Sequence, residues 1–390
     1  MKIVFFAHPL FLASQSMPRF VNMLAEGMKS RGHVVEIWRP EAMFSKLPFR
    51  KLKKWLGYID QYLVFPQLAK RKIRKNGNDV LYVFSDHALG PYVPIVAKKP
   101  HVIHCHDFLA QRSARGEIAE NITSATGRLY QAYIRRGYAK GANFISVSGK
   151  TRADLHEFLN RHPVHSEMVY NGLNRKFFPG NPASIRDILA KEFSIDLKAG
   201  YILHVGGNQW YKNRGGVIEI YNAWRLTSGN TLPLLLIGEK PDLPLMKLYN
   251  YSPFKTEIHL LSNVPDETVQ LAYAGASVFL FPSLAEGFGW PIAEAMASGT
   301  PVITTNEAPM TEVAGSAAVL IAKRPAGKSD AIQWAADSAK ALNTILAITS
   351  SKRQEFIEVG IANAARFDSE SSLNQIEAIY KKLFPPTSKV

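Results

Sequence analysis

Apolar residues are spaced in two rhythms along this chain. Short runs at Lys2–Ala7, Tyr201–Val205, Pro233–Ile237 and Val278–Phe281 are closed by glycine, proline or polar residues, as in parallel strands covered on both faces. Other segments repeat apolar residues three and four apart, for example Phe20, Val21, Leu24, Ala25 and Met28, which is helical spacing. Further strands are predicted at 34–38, 79–84, 101–105, 143–147 and 257–261, and helices over 118–139, 151–159, 331–348, 352–365 and 371–383. Such alternation predicts an α/β fold with parallel sheets under covering helices. One segment departs from it: from Phe49 to Phe65, Leu52, Trp55, Leu56, Ile59, Tyr62 and Leu63 form a single stripe flanked by Lys and Arg. It reads as an inserted amphipathic helix.

The densest chemistry lies in residues 278–304, VFLFPSLAEGFGWPIAEAMASGTPVIT. The pattern predicts a buried strand, a loop carrying Glu286, Gly287 and Gly289, a helix from Ile292 to Ser298 with Pro291 at its start, and Gly299 as a left-handed cap. Backbone N–H groups around Gly289 and Trp290 would then emerge at a helix N-terminus above a strand's carboxyl end, where phosphates bind.

Glu286 and Glu294 bracket seven residues, and EGFGWPIAEAMASGTPV resembles the E-x7-E signature of retaining GT-B glycosyltransferases, family 4. The resemblance implies two Rossmann-like domains with a cleft between them: residues 1–177 binding the acceptor, joined by a C-terminal helix at about 368–385 that crosses back, and residues 183–366 binding a nucleotide sugar. It places Glu286 beside the donor sugar, Glu294 on the ribose, and the loop Gly287, Phe288, Gly289 and Trp290 on the diphosphate. Gly206, Gly207 and Asn208 follow a strand, and Lys212-Asn213 matches the family's phosphate-binding lysine and its successor. Gly207 or Asn208 stands where the family has an arginine, with Arg214 as an open substitute. Val264 matches the backbone beside the base, although a plain strand-to-helix turn fits equally. His106, at the end of a strand, matches a histidine that contacts the donor sugar. His104 and His106 could share a strand face as metal ligands, but no further ligands stand at suitable spacing. The first loop, Ala13 to Met17, departs from the family's Gly-Gly pair; Ser16 reads as a helix cap before Pro18 and Arg19 as an acceptor-side residue.

Length and composition agree with a two-domain globular enzyme: 390 residues, 46% hydrophobic and 20% charged. A single cysteine, Cys105, cannot form an internal disulfide. No signal-like segment follows Met1-Lys2 and no run reaches membrane-spanning length, so a cytoplasmic location is expected. The formal charge of +15 lies wholly in the first half: residues 1–180 carry 28 Lys and Arg against 12 Asp and Glu. Residues 46–75 hold ten Lys and Arg against Asp60 alone. Around an apolar stripe, this composition suits a helix lying on an anionic membrane; a solvated face whose stripe packs on the domain is the equal alternative. Nucleic acid fits less well, because the apolar residues are continuous instead of interleaved with cations.

The reading that joins these features is a retaining glycosyltransferase moving a sugar from a nucleotide-sugar donor to a saccharide or lipid-linked acceptor, with no cofactor and no divalent metal, peripheral on the cytoplasmic face of a membrane. The alternatives are a sugar-nucleotide epimerase or a phosphorylase of the same fold, and a non-catalytic nucleotide-sugar or membrane-binding module. A glycosidase leaves the phosphate-type loop without a purpose. A dehydrogenase needs a G-x-G-x-x-G after the first strand, which is absent.

Overall fold

A computed structural model describes residues 1–11, 16–49, 52–77, 79–173 and 175–384, without the side chain of Ser16. The chain forms two units, Met1–Asn174 with Ser369–Val390, and Arg175–Asp368.

The first unit is a six-stranded parallel sheet: β1 (Lys2–Phe6), β2 (Val34–Trp38), β3 (Val80–Phe84), β4 (His101–Cys105), β5 (Asn143–Ser146) and β6 (His165–Met168), in the order β2-β1-β3-β4-β5-β6. β1, β3 and β4 are buried almost throughout, which explains their unbroken apolar runs. β6, His-Ser-Glu-Met, is a half-buried edge strand with no apolar run, and the pattern had not disclosed it. Residues 118–124, expected to be helical, are irregular; Ser124 caps a helix that begins only at Ala125. A run of 3-10 turns from His87 to Ile95, with Pro91 and Pro94 inside it, follows β3. The helix Ser369–Leu383 packs on this unit: Tyr380 OH bonds His104 Nε2 at 2.7 Å, and Glu377 lies 2.8 Å from His33 Nε2.

The basic insert is a continuous helical run, Lys53–Ile59, a π-turn Asp60–Val64, and Phe65–Lys75. Its inner face is not the predicted stripe. Gly57, Asp60, Gln61, Phe65, Ala69 and Ile73 are buried, whereas Trp55 and Leu63 are each 64% exposed and Leu52 is 51% exposed. Tyr62 divides from the stripe and joins Tyr58, Tyr92, Tyr130 and Tyr133 in an aromatic cluster. Asp60 accepts hydrogen bonds from the backbone N–H of Met43, Phe44 and Ser45 at 2.9–3.2 Å. That bond set fastens a loop whose exposed apolar residues, Met43, Phe44 and Leu47, belong to the same surface.

The second unit has β7 (Ile202–Val205), β8 (Leu234–Gly238), β9 (Ile258–Ser262), β10 (Val278–Phe281), β11 (Val302–Thr305) and β12 (Ala318–Ile321), all parallel, in the order β12-β11-β10-β7-β8-β9. This is the doubly wound order, with a switch point between β7 and β10, where crossovers leave in opposite directions and open a crevice at the strands' carboxyl ends. Residues 178–181 lead straight into a helix, Pro182–Phe193, capped by the Asn181 side chain.

Packing in the first unit includes a backbone-to-backbone contact between the helix Ala125–Tyr138 and the 3-10 run. A Cβ on Gly137 would lie 2.2 Å from Gly90 O. Gly137→Ala is therefore expected to force the two elements apart and to lower unfolding free energy by about 1–3 kcal/mol, measured as a shift in urea midpoint at unchanged slope.

Candidate active site

The loops after β7 and β10 meet at the switch point of the second unit. After β7 the chain makes a short turn, Trp210–Lys212, and enters the helix Arg214–Ser228 through Asn213. Asn213 adopts a left-handed φ of 51° and has two tasks: its Oδ1 caps the Gly216 N–H at 3.2 Å, and its Nδ2 donates to Pro282 O at 2.9 Å. A second bond runs from Leu284 N to Tyr211 O at 2.7 Å. Two loops separated by about seventy positions in sequence are thereby joined.

The joining brings Lys212 to Glu286. Its Nζ lies 2.8 and 3.0 Å from the two carboxylate oxygens, with both side chains largely buried. Ser283 Oγ donates to Glu286 Oε1 at 2.7 Å, which fixes the carboxylate from the other side. The faces of Phe281 and Tyr211 lie 5.2 and 5.4 Å from the ammonium, within cation–π range.

Beyond Glu286 the helix runs from Trp290 to Ala297, two residues earlier than predicted, with Pro291 in its first turn and Gly289 as N-cap. Gly289 has φ of 107°, a conformation open to glycine and strained for other residues. Gly299 follows the helix at φ 76°, the predicted left-handed position. Phe288 is buried between Trp290 and Phe367. Glu294 accepts a hydrogen bond from Tyr273 OH at 2.9 Å. Tyr273 is buried, and burial, with the Glu294 charge, pushes its phenol well above its ordinary value; it remains a donor to the carboxylate.

Arg214 is buried beneath the β7 loop. Its Nη1 donates to Asn208 Oδ1 at 2.6 Å and to Glu239 O at 3.0 Å, while Nε and Nη2 make no hydrogen bond among the described residues. Burial lowers its pKa, opposed by Asp242 and Glu239. Asn208 N donates to Glu239 Oε2 at 3.2 Å, and the Glu239 carboxylate also borders Gly207. His204, fully buried on β7, donates from Nδ1 to Leu280 O at 2.9 Å; burial lowers its pKa to about 3. Val264 is half-buried after β9, two strands from β7 at the same end of the sheet.

The remaining candidates lie in the first unit. His106 follows β4, and its Nε2 donates to Ser85 O at 2.9 Å, with its ring edge-on to Phe20. Burial lowers its pKa, against the raising effect of Asp86. His104 bonds Tyr380, and His101 bonds Lys99 O and Ala142 N, so both have structural partners. Arg19 is exposed in the first turn of the helix Ser16–Ser30. Ser16 begins that helix, and its side chain, like Ala13–Gln15 of the first loop, lies outside the described residues.

The structure thus brings together Lys212, Glu286, Asn208 and Arg214 with the Gly287–Trp290 loop. Sequence reasoning missed Asn213 as the tie, Ser283 and Tyr273 as supports of the two glutamates, and Glu239 as a clasp on the Gly207–Asn208 turn. Ser283 and Asn213 stood within the quoted segments; Tyr273 and Glu239 had no linear signal.

A doubly wound unit with a lysine–glutamate pair and a second glutamate on the following helix is consistent with the glycosyltransferase that the sequence motif resembles. Comparison places it more closely. The family model "Glycosyl transferases group 1" matches residues 199–338, and "Glycosyltransferase Family 4" matches residues 17–177. The phosphatidyl-myo-inositol mannosyltransferase of Mycobacterium leprae is 31% identical over 95% of this chain and 94% of its own length. The O-antigen chain mannosyltransferase B of Escherichia coli is 29% identical over 61% of this chain, a match spanning 60% of that relative's length. Sucrose-phosphate synthase from Thermosynechococcus elongatus has the same fold, with a TM-score of 0.74 at 18% identity, covering 98% of this chain and 99% of that one. The chain belongs to the group 1 glycosyltransferases.

The double role of Asn213 gives an expected outcome. Asn213→Ala loses the cap and strips Pro282 O of its partner, so unfolding free energy should fall by about 1–3 kcal/mol, measured by urea denaturation. A fall of a few tenths would mean that the Tyr211–Leu284 bond alone holds the loops.

Proposed function

We propose that the protein is a retaining, metal-independent glycosyltransferase that moves a sugar from a nucleotide sugar to a saccharide or lipid-linked acceptor at a membrane surface. The observation that carries the reading is the convergence of Lys212 and Glu286 just before the helix that starts at Trp290 and carries Glu294. When the bond from sugar C1 to phosphate oxygen breaks, negative charge gathers on the departing diphosphate. A fixed cation and aligned N–H groups stabilise that charge in place of a metal. Arg214, buried and clasping Asn208, supports the loop in this reading. Glu286 receives the donor sugar's hydroxyls and Glu294, oriented by Tyr273, the ribose. The acceptor oxygen bonds C1 from the face the phosphate leaves, and its proton passes to the phosphate oxygen. His106, with Nε2 committed to Ser85 O, has Nδ1 for a sugar hydroxyl. Val264 borders the base.

Nucleotide-sugar donors labelled with UDP, GDP or ADP, screened by thermal shift and hydrolysis, identify the donor. With that donor, Lys212→Ala should lower turnover roughly 10²-fold. Glu294→Ala should weaken the nucleotide sugar and the free nucleotide alike, by about 1–3 kcal/mol, and Glu286→Gln should reduce turnover more than binding. Unchanged nucleotide affinity in folded Glu294→Ala removes the ribose assignment. Full activity in Lys212→Ala removes the diphosphate assignment.

The membrane part rests on the exposed side of the basic insert. Leu52, Trp55 and Leu63 face away from the unit's core, with Lys53 and Lys54 beside them and the loop residues Met43, Phe44 and Leu47 adjoining. Apolar residues ringed by cations suit an anionic lipid interface, where each cation contributes about 1 kcal/mol. The relatives named above for O-antigen chains and phosphatidyl-myo-inositol fit an acceptor carried at such a surface. Among the described residues no helix is long and apolar enough to cross a membrane. In co-sedimentation, vesicles of phosphatidylcholine with phosphatidylglycerol should bind the protein, less so as salt rises. Trp55→Ala should weaken binding roughly tenfold, and Lys53→Glu with Lys54→Glu should abolish it. Equal binding to pure phosphatidylcholine, or none to either, rejects this surface.

A further inference from the structure

The first unit has a switch point of its own. β1 connects to β2 on one side, while β3 leads through β4 and β5 to β6 on the other. The crevice of a doubly wound sheet opens between two such strands at their carboxyl ends. Three residues gather there that no motif singled out. His8, two residues beyond β1, donates from Nε2 to Asp86 Oδ2 at 2.9 Å, and Asp86 lies two residues beyond β3. His87 Nδ1 stands 2.9 Å from the other carboxylate oxygen, though not aligned for a hydrogen bond. The adjacent Ser85 Oγ is buried and has no partner among the described residues.

Asp86 is itself buried, and burial would favour its neutral form. His87 and His8 outweigh that and hold its carboxyl well below the usual range. A carboxylate can only accept, so His8 must carry its proton on Nε2. In the neutral ring this leaves Nδ1 as an acceptor. That nitrogen makes no bond among the described residues, and the His8 side chain is 19% exposed. A buried acid orienting a partly exposed imidazole, with no internal partner for its second nitrogen, is a built acceptor for an external O–H. Phe11, three residues further on, reaches Gly57 of the basic insert.

We propose that His8 and Asp86 form a saccharide-binding pair in the first unit, in which His8 Nδ1 accepts a hydrogen bond from a hydroxyl of the sugar that receives transfer. The role of that sugar as acceptor rests on the transferase reading, whereas the binding of a saccharide hydroxyl stands independently of it. His8 acts here by holding and orienting the hydroxyl; Asp86 is a positioning residue.

The test uses the full chain, labelled with nitrogen-15 in histidine, and methyl mannopyranoside, methyl glucopyranoside and methyl galactopyranoside as probes. Ring spectra, assigned with His8→Gln, should place the His8 proton on Nε2, and at least one glycoside should move the His8 Nδ1 signal. Asp86→Asn, isosteric but uncharged, should abolish the fixed tautomer and the response together. If Asp86→Asn fails to fold, His8→Ala, monitored by the signals of His106 and His87, serves in its place and should lose the displacement of those neighbours by glycoside. A proton on Nδ1, or no displacement by any glycoside, overturns the proposal. With a donor found by thermal shift, His8→Ala should raise the KM for the glycoside about tenfold, the size of one hydrogen bond, with less change in kcat, and His8→Asn should recover part of it. An equal fall in kcat at unchanged KM overturns the positioning role. A glycoside response in a protein that binds no nucleotide sugar removes the transferase reading and keeps the site.

Discussion

The pairing of β7 with β10, and the tie that Asn213 makes between the loops leaving them, is the constraint on which the second unit's chemistry depends. Parallel neighbours bring their carboxyl ends together but do not set the loops that leave them. Asn213 does so by satisfying a helix N–H with its oxygen and the Pro282 carbonyl with its nitrogen. Lys212 precedes it directly, so the cation's position is set by the same bonds that start the helix. Glu286, four residues after Pro282, is set by the opposite loop. The pair therefore depends on two loops being tied together, and less on the attraction between two charges, much of which is offset by the cost of taking both out of water.

The fold was legible because strands covered on both faces read as unbroken apolar runs, and helices between them keep a period of 3.6. It was illegible where burial is one-sided: His-Ser-Glu-Met of β6 has no apolar run to detect. Much of the candidate site was legible because a strand, a glycine turn and a helix start lie consecutively in 278–299. The supports of that site were not, since Tyr273 reaches Glu294 from another helix and Glu239 reaches Asn208 from another strand. The same reason hid His8 and Asp86, which are 78 residues apart in sequence and meet only because β1 and β3 are neighbours. Periodicity also misjudged the insert. A stripe of apolar positions marks a helix face, but which face turns inward is decided by what the unit offers it. Here small Gly57 and Ala69 and the bonded Asp60 lie inward while Trp55 lies outward.

Buried carboxylates recur as organisers in the first unit. Asp60 is unusual in being the lone acid in a strongly basic stretch, and it is spent on three backbone N–H groups and the Ser45 hydroxyl instead of on any neighbouring lysine. Those bonds, with burial opposing them, lower its pKa. Its partners are fixed amides, so the cations around it stay available to the surface. Asp86 plays a comparable part with two imidazoles, and a structural acid thereby sets the state of groups that face outward.

Cys105 is the chain's one thiol, and it ends β4 inside the first unit's core, fully buried, with burial and the nearby Asp86 pushing its pKa well above the ordinary value. Maleimides and similar probes react with accessible thiolate, which this residue does not offer. The native protein is therefore a blank background for labelling. Cysteines introduced singly or in pairs, for instance at the exposed Ile122 in one unit and Leu243 in the other, can carry dyes without removing any natural residue. The distance between two such labels becomes a quantity that fluorescence can read in solution.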